Sequence, residues 1–149
     1  MLEKYRHMSF FHKRYIAYKK FETIERAKSL RTFMATVVGE VERLQCFSLS
    51  NKILTDVLPK LPLLRVLHLI HFNIREVPES IGSLRHLRYL NLSQSSITHL
   101  PEEVCNLYNL QTLILFGCSR LTNLPNNFLK LANYDILTLG IPRFCFRCC

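Results

Sequence analysis

Between residues 64 and 131 the chain reads LRVLHLIHFNIREVPESIGSL (64–84), LRYLNLSQSSITHLPEEVCNL (87–107) and LQTLILFGCSRLTNLPNNFLKL (110–131). The copies start 23 residues apart, at 64, 87 and 110, and the third holds one extra residue. Each opens on the phrase LxxLxL. On a strand alternate residues share a face, so Leu67 and Leu69 point one way and His68 the other. Leu90 and Leu92, then Leu113 and Leu115, repeat this. Ile74, Ile97 and Leu121 follow, then Val77, Leu100 and Leu124, each directly before a proline (Pro78, Pro101, Pro125). Proline lacks an amide donor and fixes φ, so it ends one turn and begins the return of each coil. Ile81, Val104 and Phe128, with Leu84, Leu107 and Leu131, close the core from the return side. No copy can bury its leucines alone, whereas stacked copies make one continuous core. The spacing predicts an α/β solenoid of horseshoe outline. Short parallel strands lie on its concave side, and irregular or short helical turns on its convex side.

Outward from this block the pattern loosens. Residues 30–63 hold two irregular units. Leu30–Ala35 is a degenerate LxxLxL strand, and Leu44–Leu49 carries the strand of the second unit. Ser50 or Asn51 caps a short helix over Lys52–Leu58, ahead of Pro59. Upstream, residues 1–29 form a basic segment leading into the repeats, with a β-like run at Arg6–Phe11. Downstream, residues 132–149 hold an incomplete fourth repeat, whose strand is Tyr134–Leu139, and a Cys-rich tail.

The 149 residues are enough for one domain, and 48% hydrophobic content suits a buried core. Twenty Lys and Arg against 11 Asp and Glu give a net charge of +9. Nine of those basic residues (4, 6, 13, 14, 19, 20, 26, 28, 31) and only three Glu (3, 22, 25) lie in residues 1–31. Basic residues interleaved with Tyr5, Tyr15, Tyr18 and Phe21 invite a nucleic-acid reading. The sequence carries no recognition motif of such proteins, so no nucleic-acid partner is assigned. Aromatics covering the open end of the core, solvated by lysines, account for the segment. No apolar run is long enough to span a membrane. The start, MLEKYRHMSFFHKRY, is too charged for a secretory signal. The six cysteines do not form a paired disulfide framework and read as reduced, which places the chain in the cytoplasm.

Chemistry-bearing motifs are missing. The four glycines form neither GxGxxG nor a phosphate-cradling loop, and neither GxSxG nor HExxH occurs. His68 and His71 stand three apart, an odd spacing that on a strand turns them to opposite faces and disfavours a shared metal. Glu102 and Glu103 follow Pro101 at the start of a short outer helix, where carboxylates favour the helix dipole. Cys145 and Cys148 have CxxC spacing, but the second ligand pair of a zinc site is missing. A prenylation ending would need Cys at position 146, where Phe stands. Cys145, Cys148 and Cys149 therefore read as an incidental tail. Cys118 takes the position after the strand where a small side chain satisfies neighbouring backbone groups. No catalytic, cofactor-binding or metal-binding residue is assigned, and the chain does not read as an enzyme.

What remains is a surface. The residues between the leucines form columns across successive strands: Val66, Tyr89 and Thr112; then His68, Asn91 and Ile114; then Ile70, Ser93 and Phe116. Solenoid curvature turns such columns into an extended protein-binding face. Ile70, Tyr89, Ile114 and Phe116 are of the types enriched in interfaces, with Tyr89 and Phe116 as the anchors.

The 23-residue period and the LxxLxL phrase resemble the leucine-rich repeat. ArgHisMetSerPhe at 6–10, SerLeuArgThrPhe at 29–33, LeuProLysLeuProLeuLeuArgValLeu at 58–67, ValProGluSerIleGlySerLeuArgHisLeuArgTyrLeuAsnLeu at 77–92 and LeuProGluGluValCysAsnLeuTyrAsnLeuGlnThrLeuIleLeuPheGlyCys at 100–118 are more specific. In combination they resemble the start of the repeat domain in plant disease-resistance proteins of the coiled-coil nucleotide-binding leucine-rich-repeat class. The resemblance runs from Arg6 to about Leu139. It implies a part of an intracellular immune receptor that recognises a pathogen effector or its host target and restrains the nucleotide-binding module. The coiled coil and nucleotide switch of that class lie upstream of the repeats, and no residue here matches them. The position of the basic segment at the junction with that module, and its net charge of +6 (nine Lys and Arg against three Glu), make Lys13, Arg14, Lys19 and Lys20 the expected contact with it. A free-standing repeat scaffold or decoy that binds another protein is the alternative.

Overall fold

The computed structural model describes residues 4–12, 24–37, 51–72, 74–131 and 136–138. Six strands form one parallel sheet in chain order: β1 (His7–His12), β2 (Thr32–Val37), β3 (Val66–Leu69), β4 (Tyr89–Asn91), β5 (Thr112–Ile114) and β6 (Ile136–Thr138). Every neighbouring pair in the sheet is also neighbouring in sequence, the topology of a coil wound in one direction. Val66 pairs with Tyr89, Tyr89 with Thr112, and Thr112 with Ile136.

Each of the three regular coils leaves its strand through a left-handed residue at one repeated position: His71 (φ 62°), Gln94 (φ 58°) and Gly117 (φ 72°). Two of the three are not glycine, and a side chain in this region costs on the order of 1–2 kcal/mol. Hydrogen bonds to the next coil hold it there, His71 N–H donating to Ser93 O at 3.1 Å and Gln94 N–H to Phe116 O at 2.7 Å. His71 therefore stands beyond the end of β3. The expectation that it faces away from His68 on a common strand is corrected: the left-handed turn intervenes.

On the return side Pro78 (φ −72°) and Pro101 (φ −70°) are extended and directly precede 3-10 helices at Glu79–Ser83 and Glu102–Asn106. A third, Phe128–Leu131, follows Pro125. Gly82 lies where these turns approach. A Cβ at Gly82 would sit 2.8 Å from the Glu103 carbonyl oxygen and 2.9 Å from its Cβ. Backbone cannot step aside cheaply, so Gly82→Ala is expected to cost about 1–3 kcal/mol in urea unfolding.

The core runs unbroken between the two sides. Leu64, Leu67, Ile74 and Leu84 of one coil are fully buried, as are Leu87, Leu90, Ile97 and Leu107 of the next. Cys118 is buried at the head of a small ladder. Its thiol donates to Leu92 O at 3.2 Å and lies 3.3 Å from Ser95 Oγ. The extra residue of the third repeat is taken up at Ser119–Arg120. Ser95 still meets Cys118, 23 residues on, whereas Thr122 N–H reaches Thr98 O and Asn123 bridges His99, 24 residues on.

Two boundaries differ from expectation. The α-helix spans Asn51–Asp56, and a separate 3-10 helix, Leu58–Lys60, takes Pro59 into its first turn, where no amide donor is needed. The sheet begins within the basic segment, one residue on from the expected start of its β-like run. The β-like run expected at 6–11 is the strand β1, His7–His12, paired with β2 over six residues. β2 pairs directly with β3. The Leu44–Leu49 stretch and the tail after Leu139 lie outside the described residues, as do Lys13, Arg14, Lys19 and Lys20.

Candidate functional site: the strand face

The residues between the buried leucines stand in columns because the register is in phase. His7, Thr32, Val66, Tyr89, Thr112 and Ile136 form the first column, and Ser9, Met34, His68, Asn91, Ile114 and Thr138 the second. The face is thus three rungs wider than the nine sequence-assigned residues, with His7 Nδ1 and Thr32 Oγ1 3.0 Å apart across its first two rungs. A phase signal was present in Leu30 and Phe33, but aligning it needs the 34-residue step from Thr32 to Val66.

Phe116 is 53% exposed, and Val66, His68, Ile70, Tyr89, Thr112 and Ile114 are half-buried. Asn91 and Ser93 depart from the surface expectation, being 4% and 5% exposed. Asn91 Oδ1 accepts from Ser93 N–H at 2.9 Å and from Ser93 Oγ at 2.6 Å, while its Nδ2 donates to the Tyr89 hydroxyl at 3.3 Å. They brace the turn out of β4 instead of offering free polar groups. The Tyr89 ring lies nearly parallel to that of His68, with centroids 6.2 Å apart and planes at 12°. Burial holds the His68 imidazole below its ordinary pKa, favouring the neutral ring. Tyr89 is thereby fixed at both ends, a preorganised aromatic, with Phe116 beyond the end of β5 on the next rung.

The return side carries an open groove of about 520 Å³ between successive coils, into which Glu76, Glu79, Glu102 and Glu103 face with Thr55 and His99. Glu102 Oε1 accepts from Asn126 N–H at 2.7 Å, tying the third regular coil to the second. Among the described residues no group of three or more His, Cys, Asp or Glu side chains has a metal-binding arrangement. No helix among them is long and apolar enough to cross a membrane.

Parallel rungs, an apolar return and an in-phase outer face define a leucine-rich-repeat solenoid. A family model described as a leucine-rich repeat region matches residues 40–143, and the chain belongs to that family. Its curated relatives are plant disease resistance proteins. Disease resistance protein At3g14460 of Arabidopsis thaliana is 40% identical over 113 residues, covering 76% of this chain and 8% of that protein. Disease resistance RPP13-like protein 1, also of Arabidopsis thaliana, is 36% identical over 113 residues, 75% of this chain and 10% of its own length. TMV resistance protein N of Nicotiana glutinosa is 44% identical over 64 residues, 42% of this chain and 6% of that one. The chain thus spans a tenth or less of the relatives it matches. Among solved structures, a Leptospira interrogans leucine-rich-repeat protein superposes with a TM-score of 0.64 at 27% identity, covering 77% of this chain and 26% of that one. Domains of this fold typically mediate protein–protein interaction and are non-catalytic.

Proposed function

We propose that the chain is a protein-recognition segment of a plant intracellular immune receptor, acting in the cytoplasm. Its strand face contacts a pathogen effector or the host protein an effector modifies. The observation that supports this is the preorganised Tyr89 on an in-phase parallel sheet, with exposed Phe116 on the following coil, in a chain whose relatives are disease resistance proteins. In this reading Val66, His68, Ile70, Thr112 and Ile114 form the surround that excludes water. Asn91 and Ser93 hold Tyr89 in place. The segment also restrains the nucleotide-binding module of the same or a related receptor, with Lys13, Arg14, Lys19 and Lys20 as the contact. The reading involves no reaction and no cofactor.

Replacing Tyr89 and Phe116 together with Ala is expected to weaken capture of the effector or host target at least about tenfold, since aromatic anchors dominate such interfaces. Far-ultraviolet circular dichroism should be unchanged. Capture at undiminished affinity by the doubly substituted chain would remove the strand face from this proposal.

A further inference from the structure

The residue immediately before each of the strands β1 to β4 is arginine: Arg6, Arg31, Arg65 and Arg88. They are stacked. Arg31 N–H donates to Arg6 O at 2.7 Å, Arg65 N–H to Arg31 O at 2.7 Å, and Arg88 N–H to Arg65 O at 2.8 Å. Gln111 continues the ladder on the next rung, its N–H donating to Arg88 O at 2.8 Å. Adjacent rungs of a sheet are about 4.8 Å apart, so four cationic side chains leave the backbone along roughly 14 Å. Arg6, Arg65 and Arg88 are exposed and Arg31 is half-buried. None of the four has a carboxylate partner among the described residues.

Among the described residues the surroundings do not relieve this charge. The described residues that lead into the four arginines, Lys4–Tyr5, Lys28–Ser29, Pro62–Leu63 and Arg85–His86, hold no acid, and Glu3 lies outside the described residues. Glu76, Glu79, Glu102 and Glu103, the carboxylates of the two regular coils that begin at Arg65 and Arg88, line the groove that follows the strands, at the other end of each coil's path. Like charges in register repel, and a fold that stacks four of them gains nothing internally from doing so.

We propose that the arginine ladder is a docking surface for an acidic, extended segment of a partner protein. Alternate residues of an extended chain lie about 6.7 Å apart on one side, so three alternate carboxylates cover the length of the four guanidiniums. Guanidinium groups bind carboxylates as planar, bidentate pairs, which favours this ligand over a diffuse charge contact. A single-stranded nucleic acid is the competing occupant, since Tyr5 next to Arg6 is exposed; the sequence carries none of the recognition motifs of such proteins, and the test separates the two. The surface is distinct from the strand-face anchors and does not rest on their role.

The test uses the full chain and a short fluorescent peptide of alternating Glu and Ser, titrated at low and at high salt. Binding is expected at low salt and should weaken as salt screens the ladder. Arg65→Glu with Arg88→Glu should lose at least about tenfold in affinity, since reversing close charges replaces attraction by repulsion. The matched pair Arg75→Glu and Arg120→Glu, exposed but off the ladder, should lose far less. Arg65→Gln with Arg88→Gln gives the same comparison should the reversed chain fail to fold. Equal losses at both pairs would mean net charge alone and overturn the proposal. Tighter binding of an oligothymidine of the same length than of the peptide would overturn the choice of partner. Loss of effector capture on replacing Tyr89 and Phe116, with peptide binding intact, would leave it standing.

Discussion

Leu90→Ala is expected to lower the unfolding free energy by about 2–5 kcal/mol, a large part of a small domain's total. Leu90 is fully buried in β4, in register with Leu67 before it and Leu113 after it, and both neighbours are buried. Its side chain belongs to two coil–coil contacts at once. In a solenoid each coil touches only its neighbours, so stability is close to a sum of coil and interface contributions. Truncation weakens both interfaces of the central coil, and the hydrogen-bonded rungs on either side prevent the gap from closing. Urea denaturation should show the loss as a lower midpoint with an unchanged slope. A changed slope would mean that the coils on the two sides of Leu90 now unfold separately, and a loss under about 1 kcal/mol would contradict close packing at this rung.

The second large effect is expected at a polar residue. Asn91→Ala leaves the Ser93 amide and hydroxyl donors without their shared acceptor in a site 5% exposed. A buried donor without a partner costs about 1–3 kcal/mol, and the hydroxyl can rotate where the amide cannot, so a net loss of about 2–3 kcal/mol is expected. Ser93→Ala should cost less, because it removes a donor and leaves Asn91 Oδ1 satisfied by the amide. Amide hydrogen exchange at Ser93 should accelerate in Asn91→Ala and stay slow in Ser93→Ala. Equal effects of the two substitutions would show that the amide–Asn91 bond is not what holds the turn.

Asn91 also marks where the sequence is hard to read. In LRYLNLSQSS it occupies a position between leucines, and alternation alone assigns it to the outer surface. Its buried side chain instead donates to the Tyr89 hydroxyl and accepts from Ser93, a rotamer choice that no spacing encodes. The central coils were legible because their leucines recur in phase. Pro78 and Pro101 gave the starts of the return turns for the same reason. β1 was less so, since HMSFFH lacks the LxxLxL phrase, and its place in the sheet is set by pairing with β2. The left-handed turn after β3, β4 and β5 is signalled by Gly117 alone. At His71 and Gln94 the same conformation is imposed by hydrogen bonds from the following coil, which are long-range facts. The Arg65 and Arg88 pair is visible at the 23-residue step, but Arg6 and Arg31 join it only once the irregular coils are aligned.

The spare residue at Ser119–Arg120 separates two quantities that are usually tied together in a sheet. The step from Tyr89 to Thr112 is 23 residues and that from Thr112 to Ile136 is 24, yet both pairs stand opposite one another in the same phase. In a hairpin a one-residue change would turn every later side chain to the wrong face. Here the slack is absorbed in the flank, and the next strand starts afresh. Such a chain tolerates insertions between strands without scrambling its outer columns, so a recognition surface on it can be rewritten one stripe at a time while the hydrophobic spine remains common to all versions.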